Sequence, residues 1–368
     1  MITKIVSFIK RELVLFISAL AALLSMLLTP PSAAYLGYID WNVLMLLFSL
    51  MAVVAGLKGS GLWDRVSGAL LGRAKSARSL SVLLVVLCFF SAMLVTNDVA
   101  LITFVPLCFA VLGSAGPGCV ISTVVFMTIA ANLGSMATPI GNPQNLYLYS
   151  SFGPSFAEFE AAILPLTGVC LVLTLLGCMT VRAEAGISAS AKASPVHKNS
   201  LLMHGALFAL CLLSVLDVLP VWAAFAAVAA VCLLFDRKAV RQVDYSLLLT
   251  FVFFFILAGN LAANDGIRSF IGARMAGREL LFGAGLSQVI SNVPAAVLLS
   301  SFTENWRELL LGVNIGGLGT PVASLASLIS YRLYARSENA QPGRYMGVFL
   351  GWNALFLAVL LLLAHYIF

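Results

Sequence analysis

Residues 289–302 read VISNVPAAVLLSSF, and residues 94–107 read LVTNDVALITFVPL. Each is an apolar run broken at its centre by polar residues, Ser291-Asn292 ahead of Val293-Pro294 in one and Thr96-Asn97-Asp98 in the other. Within the wider stretch 279–303 the break leaves about 10 apolar residues on either side, about 15 Å of helix each. Neither arm reaches across a hydrocarbon core of about 30 Å. Two short helices that enter and leave on the same side, with the polar tip at mid-membrane, account for the pattern. The arms around 79–112 are longer, so their reading as a second such hairpin leans on an internal repeat.

The rest of the chain supports lipid as the solvent. Of 368 residues, 61% are hydrophobic and 10% charged, with a mean hydropathy of +1.04. A soluble chain carries about 25% charged residues, so there is too little polar surface here to face water. The net charge of +6 is no nucleic-acid signal, because in a membrane protein the position of Lys and Arg is what matters. All seven cysteines (Cys88, Cys108, Cys119, Cys170, Cys178, Cys211, Cys232) fall in apolar stretches without metal-ligand spacing and read as small packing residues. Lys4, Lys10 and Arg11 precede an apolar run that fits a first membrane span better than a cleaved signal.

Apolar runs of about 20 residues give nine crossings, near 13–29, 40–57, 119–150, 161–181, 201–217, 219–235, 246–263, 308–334 and 345–367. With the N-terminus cytoplasmic, as in a bacterial-type cell membrane, only Arg268, Arg274, Arg278 and Arg307 of the 21 basic residues fall on the outer side. That is a strong positive-inside asymmetry. The small, polar segment 183–200 reads as a cytoplasmic linker. It separates a first repeat, 1–182, from a second, 201–368.

The halves match motif by motif. Asp40-Trp41 opens a span that runs to Gly56, and Asp244-Tyr245 opens one that runs to Gly259. Each span is followed by a basic amphipathic segment, 62–78 and 267–278, and then by a hairpin. NLGSMATP (132–139) then matches NIGGLGTP (314–321) with Asn, Gly, Thr and Pro in register. The number of crossings between Asp40 and Asp244 is odd, so the second copy is upside down. The expected fold is all-α, with two inverted repeats, re-entrant hairpins and broken transmembrane helices around a midplane site.

The segment Thr138-Pro139-Ile140-Gly141-Asn142-Pro143-Gln144-Asn145 is such a break, since Pro143 removes a donor and Gly141 permits unusual dihedrals. Its freed carbonyls suit a cation such as sodium, and exposed helix N-termini suit an anion. Thr96, Asn97, Asn142 and Asn145 add neutral donors and acceptors, or else serve only to cap and bridge broken helices. Asp98 is the one acid placed deep in the membrane, where an unpaired charge costs several kcal/mol. Proton carriage or cation binding is one role for it, a static helix cap the other. The corresponding place in the second tip is Val293, so any coupling is asymmetric. No Lys or Arg lies deep in a span, which leaves dipoles, hydroxyls and amides to hold an anion or a neutral oxyacid. The glycines at 134, 316, 317 and 319 read chiefly as close-packing positions.

TNDVALITFVPL (96–107), ANLGSMATPIGNPQN (131–145), SNVPAA (291–296) and GVNIGGLGTPVASLASLISY (312–331) together resemble the Ion Transporter superfamily. The likeness is to its arsenite permease and citrate transporter-like branch, from about residue 40 to 367. Related divalent-anion/sodium symporters carry Ser-Asn-Thr at both tips and a Thr-Pro…Pro-Pro-Asn element after each. By that resemblance Thr96, Asn97, Ser291 and Asn292 stand at substrate and ion sites. Thr138, Pro139, Asn142, Asn145, Thr320 and Pro321 would complete the substrate contacts. Asp98, Asn97, Gly141, Asn292 and Gly316 would form the coupling-ion set. It also implies a dimerising scaffold, hence a possible homodimer, and a moving transport domain. Asp98 and Val293 depart from the symporter Thr and resemble the arsenite permease side. The second repeat lacks the Pro-x-Asn of the first, which puts an intact second sodium site in question.

The function expected is secondary active transport of a small anion or oxyacid, coupled to protons or sodium by alternating access. A cation/proton antiporter and an arsenite or metalloid efflux permease are the alternatives. An enzyme is disfavoured, since no nucleophile–base pair or metal cluster appears. The expected partners are a small molecule and the lipid bilayer, not nucleic acid, and no cofactor is expected beyond the coupling ion.

Overall fold

A computed structural model describes residues 12–62, 65, 76–182 and 196–367. The N-terminal basic residues Lys4, Lys10 and Arg11, most of the amphipathic segment 62–78 and most of the linker 183–200 lie outside the described residues. The described chain is helical, and no strand occurs within it. The first repeat runs α1 (Leu13–Ser25), α2 (Trp41–Gly59), α3 (Ala77–Val95), α4 (Asn97–Leu112), α5 (Pro117–Ser135), α6 (Pro143–Phe152) and α7 (Phe156–Cys178). Then come α8 (Lys198–Val215), α9 (Val221–Phe235), α10 (Tyr245–Ala262), α11 (Asp265–Met275), α12 (Glu279–Ile290), α13 (Asn292–Ser300), α14 (Trp306–Ile315), α15 (Leu325–Ala335) and α16 (Pro342–Ile367). Among the described residues, eight helices are long and apolar enough to cross a membrane.

The matching spans start alike. Asp40 and Asp244 each cap their helix by accepting from the third residue on, Val43 N–H at 3.0 Å and Leu247 N–H at 2.9 Å. A carboxylate there satisfies a donor that the first turn leaves unpaired. The two helices run in opposite directions. Tyr38, just before α2, packs its ring on Gly259 near the end of α10. At the other end, Lys58 from the last turn of α2 and Asp244 from the start of α10 share one cavity. The repeats are inverted.

Both hairpins form. In the second, Glu279 at the start of α12 accepts from Thr303 Oγ1, just past α13, at 3.0 Å, so the two ends of the pair meet. In the first, α3 and α4 pack on each other, although each is long enough to cross by itself. Straight continuation would put Cys88 and Cys108 about 30 Å apart, whereas they are electrostatic neighbours. The two arms therefore fold back on each other about the tip at Thr96.

The crossings expected near 119–150 and 308–334 are each two helices around an irregular segment. Gly141 turns back so tightly in the first that an added Cβ would sit 2.0 Å from the Ser135 carbonyl oxygen. Only glycine tolerates that approach. Helix α5 is the most enclosed of the candidate spans among the described residues, and most of the break that follows it is buried as well. Within the second basic segment α11 forms, with the Arg274 guanidinium 3.6 Å over the Phe270 ring. All seven cysteines are free and buried, as packing residues should be.

Candidate functional site

The two tips share an unusual backbone. Thr96 has φ 71° and ψ 152°, and Ser291 has φ 77° and ψ 154°. Such angles belong almost entirely to glycine and cost about 1–3 kcal/mol elsewhere. Two inverted copies that hold a hydroxyl residue in the same strained geometry point to a functional turn. The next residue also behaves alike in both, for Asn97 Oδ1 accepts from Asp98 N–H and Asn292 Oδ1 from Val293 N–H, each at 3.0 Å. Asp98 therefore does not cap α4. It stands in the first turn, and its neighbour Asn97 takes the capping bond instead.

Beyond the tips the copies exchange contacts. Asn132 near the end of α5 accepts from Asn97 Nδ2 at 3.1 Å and from Ser324 Oγ of the other repeat at 2.9 Å, and its own amide reaches Ser327 Oγ at 3.4 Å. Asn314 holds the same place in α14. It accepts from Asn142 Nδ2 at 3.1 Å and Gln144 Nε2 at 3.4 Å, and donates to Asn145 Oδ1 at 2.7 Å. In repeat register, Asn142 and Asn145 are the counterparts of Ser324 and Ser327. Each repeat's asparagine therefore holds the other repeat's break, and the two breaks are bound into one buried polar unit. Asn97 is tied to it through Asn132. Asn292 joins through its backbone N–H, which donates to the Ala323 carbonyl at 2.9 Å.

A cavity of about 420 Å³ reaches this unit, well within the size of small-molecule sites. Its polar lining is Thr96, Asp98 and Asn142, with Glu12, Lys58, Gln242 and Asp244 from helix ends. Its apolar lining includes Leu47, Leu50, Met51 and Val54 of α2 and Leu325 and Ile329 of the second broken helix. Asp98 is the exceptional member, since its buried Oδ1 has no hydrogen-bond partner. A carboxylate oxygen left so in an apolar setting is costly and asks for a proton or a cation.

Other expected site residues lie elsewhere. Thr138 gives its hydroxyl to the Met93 carbonyl at 2.6 Å, and Thr320 gives its own to the Gln288 carbonyl at 3.2 Å. Both close the ends of hairpin arms. Asn145 sits behind the cavity wall and donates to the Met136 and Thr138 carbonyls at 2.9 and 3.0 Å. The Gly316 carbonyl already accepts from Gln288 Nε2 at 2.8 Å. Gly141 is packed on Ser135, Pro139 is buried, and Pro321 is half-buried. Ser291 and Asn292 do not line the cavity. Sequence reasoning left out Asn132 and Asn314, although their recurrence one residue before the repeated Leu/Ile-Gly was visible. It also left out Gln144, Ser324 and Ser327, and placed Lys58 only at the membrane face. Lys58 is the one basic residue in the cavity lining among the described residues.

The citrate transporter family model, CitMHS, matches residues 1–305. The chain belongs to that family. The inner membrane protein YbiR of Escherichia coli strain K12 is 33% identical over 304 residues, 80% of each chain. The silicon efflux transporter LSI3 of Oryza sativa subsp. japonica is 34% identical over 145 residues, 38% of this chain and 29% of that one. Among solved structures, the YdaH transporter of Alcanivorax borkumensis aligns with TM-score 0.53 at 15% identity, covering 90% of this chain and 86% of that one. That last likeness carries the fold alone. This citrate transporter family member is a multi-pass membrane transporter of the superfamily named from its motifs. The cavity is lined by residues of the first hairpin and of both broken helices.

Proposed function

We propose that this transporter moves a small carboxylate or oxyacid by alternating access, coupled to protons or sodium through Asp98. The observation that carries the reading is the unpartnered, buried Asp98 oxygen in the lining of a cavity that also holds Thr96, Asn142 and Lys58. The α4 N-terminus and the Thr96 hydroxyl, which lines the cavity, supply donors for solute oxygens. Lys58 adds a positive charge on the approach, and Asp98 takes up the coupling cation. The family's name points to a carboxylate and the rice relative's to silicon, which water holds as an oxyacid, so one oxygen-rich solute class covers both. The cavity lining reaches the helix ends that carry Glu12, Lys58 and Asp244. On the positive-inside rule those ends are cytoplasmic, and the state is inward-facing. The test is a thermal-shift panel of carboxylates and oxyacids on the purified protein, at several pH values, with and without sodium. A bound solute stabilises the folded state by mass action. Stabilisation by one class, with a dependence on pH or sodium that Asp98→Asn removes, is the expected result. A panel in which no anion or oxyacid shifts the melt while sodium and protons compete overturns it in favour of cation/proton antiport.

A further inference from the structure

The second break carries an arrangement that the first does not. Gln288 Nε2, on the hairpin arm α12, donates to three backbone carbonyls: Ala284 at 3.1 Å, Gly316 at 2.8 Å and Leu318 at 2.9 Å. Its Oε1 accepts from Thr320 N–H at 2.9 Å. Three acceptors at one end of the carboxamide and a donor at the other fix which end is nitrogen. The backbone is shaped around this group. Gly319 takes φ +99°, and a Cβ there would lie 2.3 Å from Gln288 Oε1.

Three carbonyls from a hairpin arm and an unwound helix, converging on one point, are the donor set with which discontinuous helices hold a monovalent cation. An amide nitrogen offers two hydrogens to those three acceptors. It supplies partial positive charge where the oxygens ask for it, and it fills the space. In the first repeat the place of Gln288 is taken by Met93, which has no such group. There the freed carbonyls of Met136 and Thr138 receive Asn145 Nδ2 from beyond the break. At the place of Asn145 the second repeat has Ser327. The amide has changed sides, from the far end of the break to the hairpin.

We propose that the Gln288 carboxamide stands in for a coupling cation at the second break, so that sodium has no site there and ion coupling is confined to the first repeat. Hard cations draw oxygen ligands to about 2.3–2.6 Å, as for calcium. Sodium would have to expel the side chain and pull in all three carbonyls. The inference takes from the alternating-access reading only that the break is a coupling position. Its test reads cation binding and needs no substrate, so either proposal can fail without the other.

The experiment compares melting of the purified full chain in sodium and in choline at equal ionic strength, for wild type and Gln288→Ala. The variant is expected to melt below wild type in choline. At saturating sodium it recovers on the order of 3 °C beyond any change in wild type, because the vacated carbonyls then take the ion. An equal loss in sodium and choline overturns the proposal and leaves Gln288 as polar filler. Should Gln288→Ala not fold in choline, Gln288→Glu decides. A carboxylate facing the three carbonyls makes its folded yield depend on sodium, and a yield equal in both salts overturns the idea.

Discussion

At Thr96 and Ser291 the backbone takes nearly the same strained dihedrals, yet the first tip lines a cavity and the second is fastened to its own broken helix. Asn292 N–H donates to Ala323 O. No matching bond joins Asn97 to Gly141, the equivalent pair, among the described residues. The first tip has Asp98 and the second Val293. The first break is closed from beyond by Asn145, the second from the hairpin by Gln288. Inverted repeats fix the backbone on both sides of the site, and the chemistry is then divided unequally between them. On the function proposed above, the symmetry would supply two conformations and the side chains a single coupling position.

The sharpest way to break that comparison is at the acids. Asp98→Asn should lower gradient-driven uptake into proteoliposomes at least ~10-fold, a change of about 1.4 kcal/mol in the effective barrier. Val293→Ala, at the matching place, should leave the ion dependence of uptake unchanged. If Asp98→Asn transports normally, or if Val293→Ala alters the ion dependence, the division of labour between the tips is wrong.

The crossed asparagines sharpen it next. Asn314→Ala strips a partner from Asn142, Gln144 and Asn145 at once, all of them amides buried to 2% exposure or less. A buried polar group left unpaired costs about 1–3 kcal/mol. Asn132→Ala releases Asn97, Ser324 and Ser327, and the two serine hydroxyls are free to rotate to other acceptors. The loss expected on denaturation in detergent is about 3 kcal/mol for Asn314→Ala and about 2 kcal/mol for Asn132→Ala. Equal losses would show that the two breaks are held alike, and the reverse order that Asn132 is the stronger fastening.

Much of this was legible in the chain, for reasons that separate local from tertiary effects. The caps at Asp40 and Asp244, the breaks at Thr96 and Ser291 and the inversion all follow from residue type and from counting crossings. Thr96, Asp98 and Asn142 were chosen because a polar residue in lipid must have a reason, and the cavity wall contains all three. Lys58 was visible only as a membrane-face charge, since nothing local says that α2 would bring it to the same cavity as Asp98 and Asp244. Gln288 was invisible. One glutamine beside a Ser-Asn pair is an ordinary arm residue until the fold brings the Gly316 and Leu318 carbonyls, 28 and 30 positions away, onto its amide. The crossed contacts of Asn132 and Asn314 are equally non-local, although their recurrence in register was there to be read.

The smallest expected difference tests the comparison most finely, because it concerns a threonine that both repeats keep. Thr138 Oγ1 lies 2.6 Å from the Met93 carbonyl, whereas Thr320 Oγ1 lies 3.2 Å from that of Gln288. In the second repeat the backbone N–H of Thr320 also binds the Gln288 side chain, so the arm stays tied to the break without the hydroxyl. In the first repeat the hydroxyl is the only such tie formed by Thr138 among the described residues, and it serves a carbonyl in the last turn of α3, where helix carbonyls lack a partner further along. Thr138→Val should therefore cost about 1 kcal/mol and Thr320→Val about 0.3 kcal/mol, measured as paired denaturation curves in one detergent. The two values separate only if Gln288 holds the second break in solution as it does here. Equal values would mean that its amide is not the fastening.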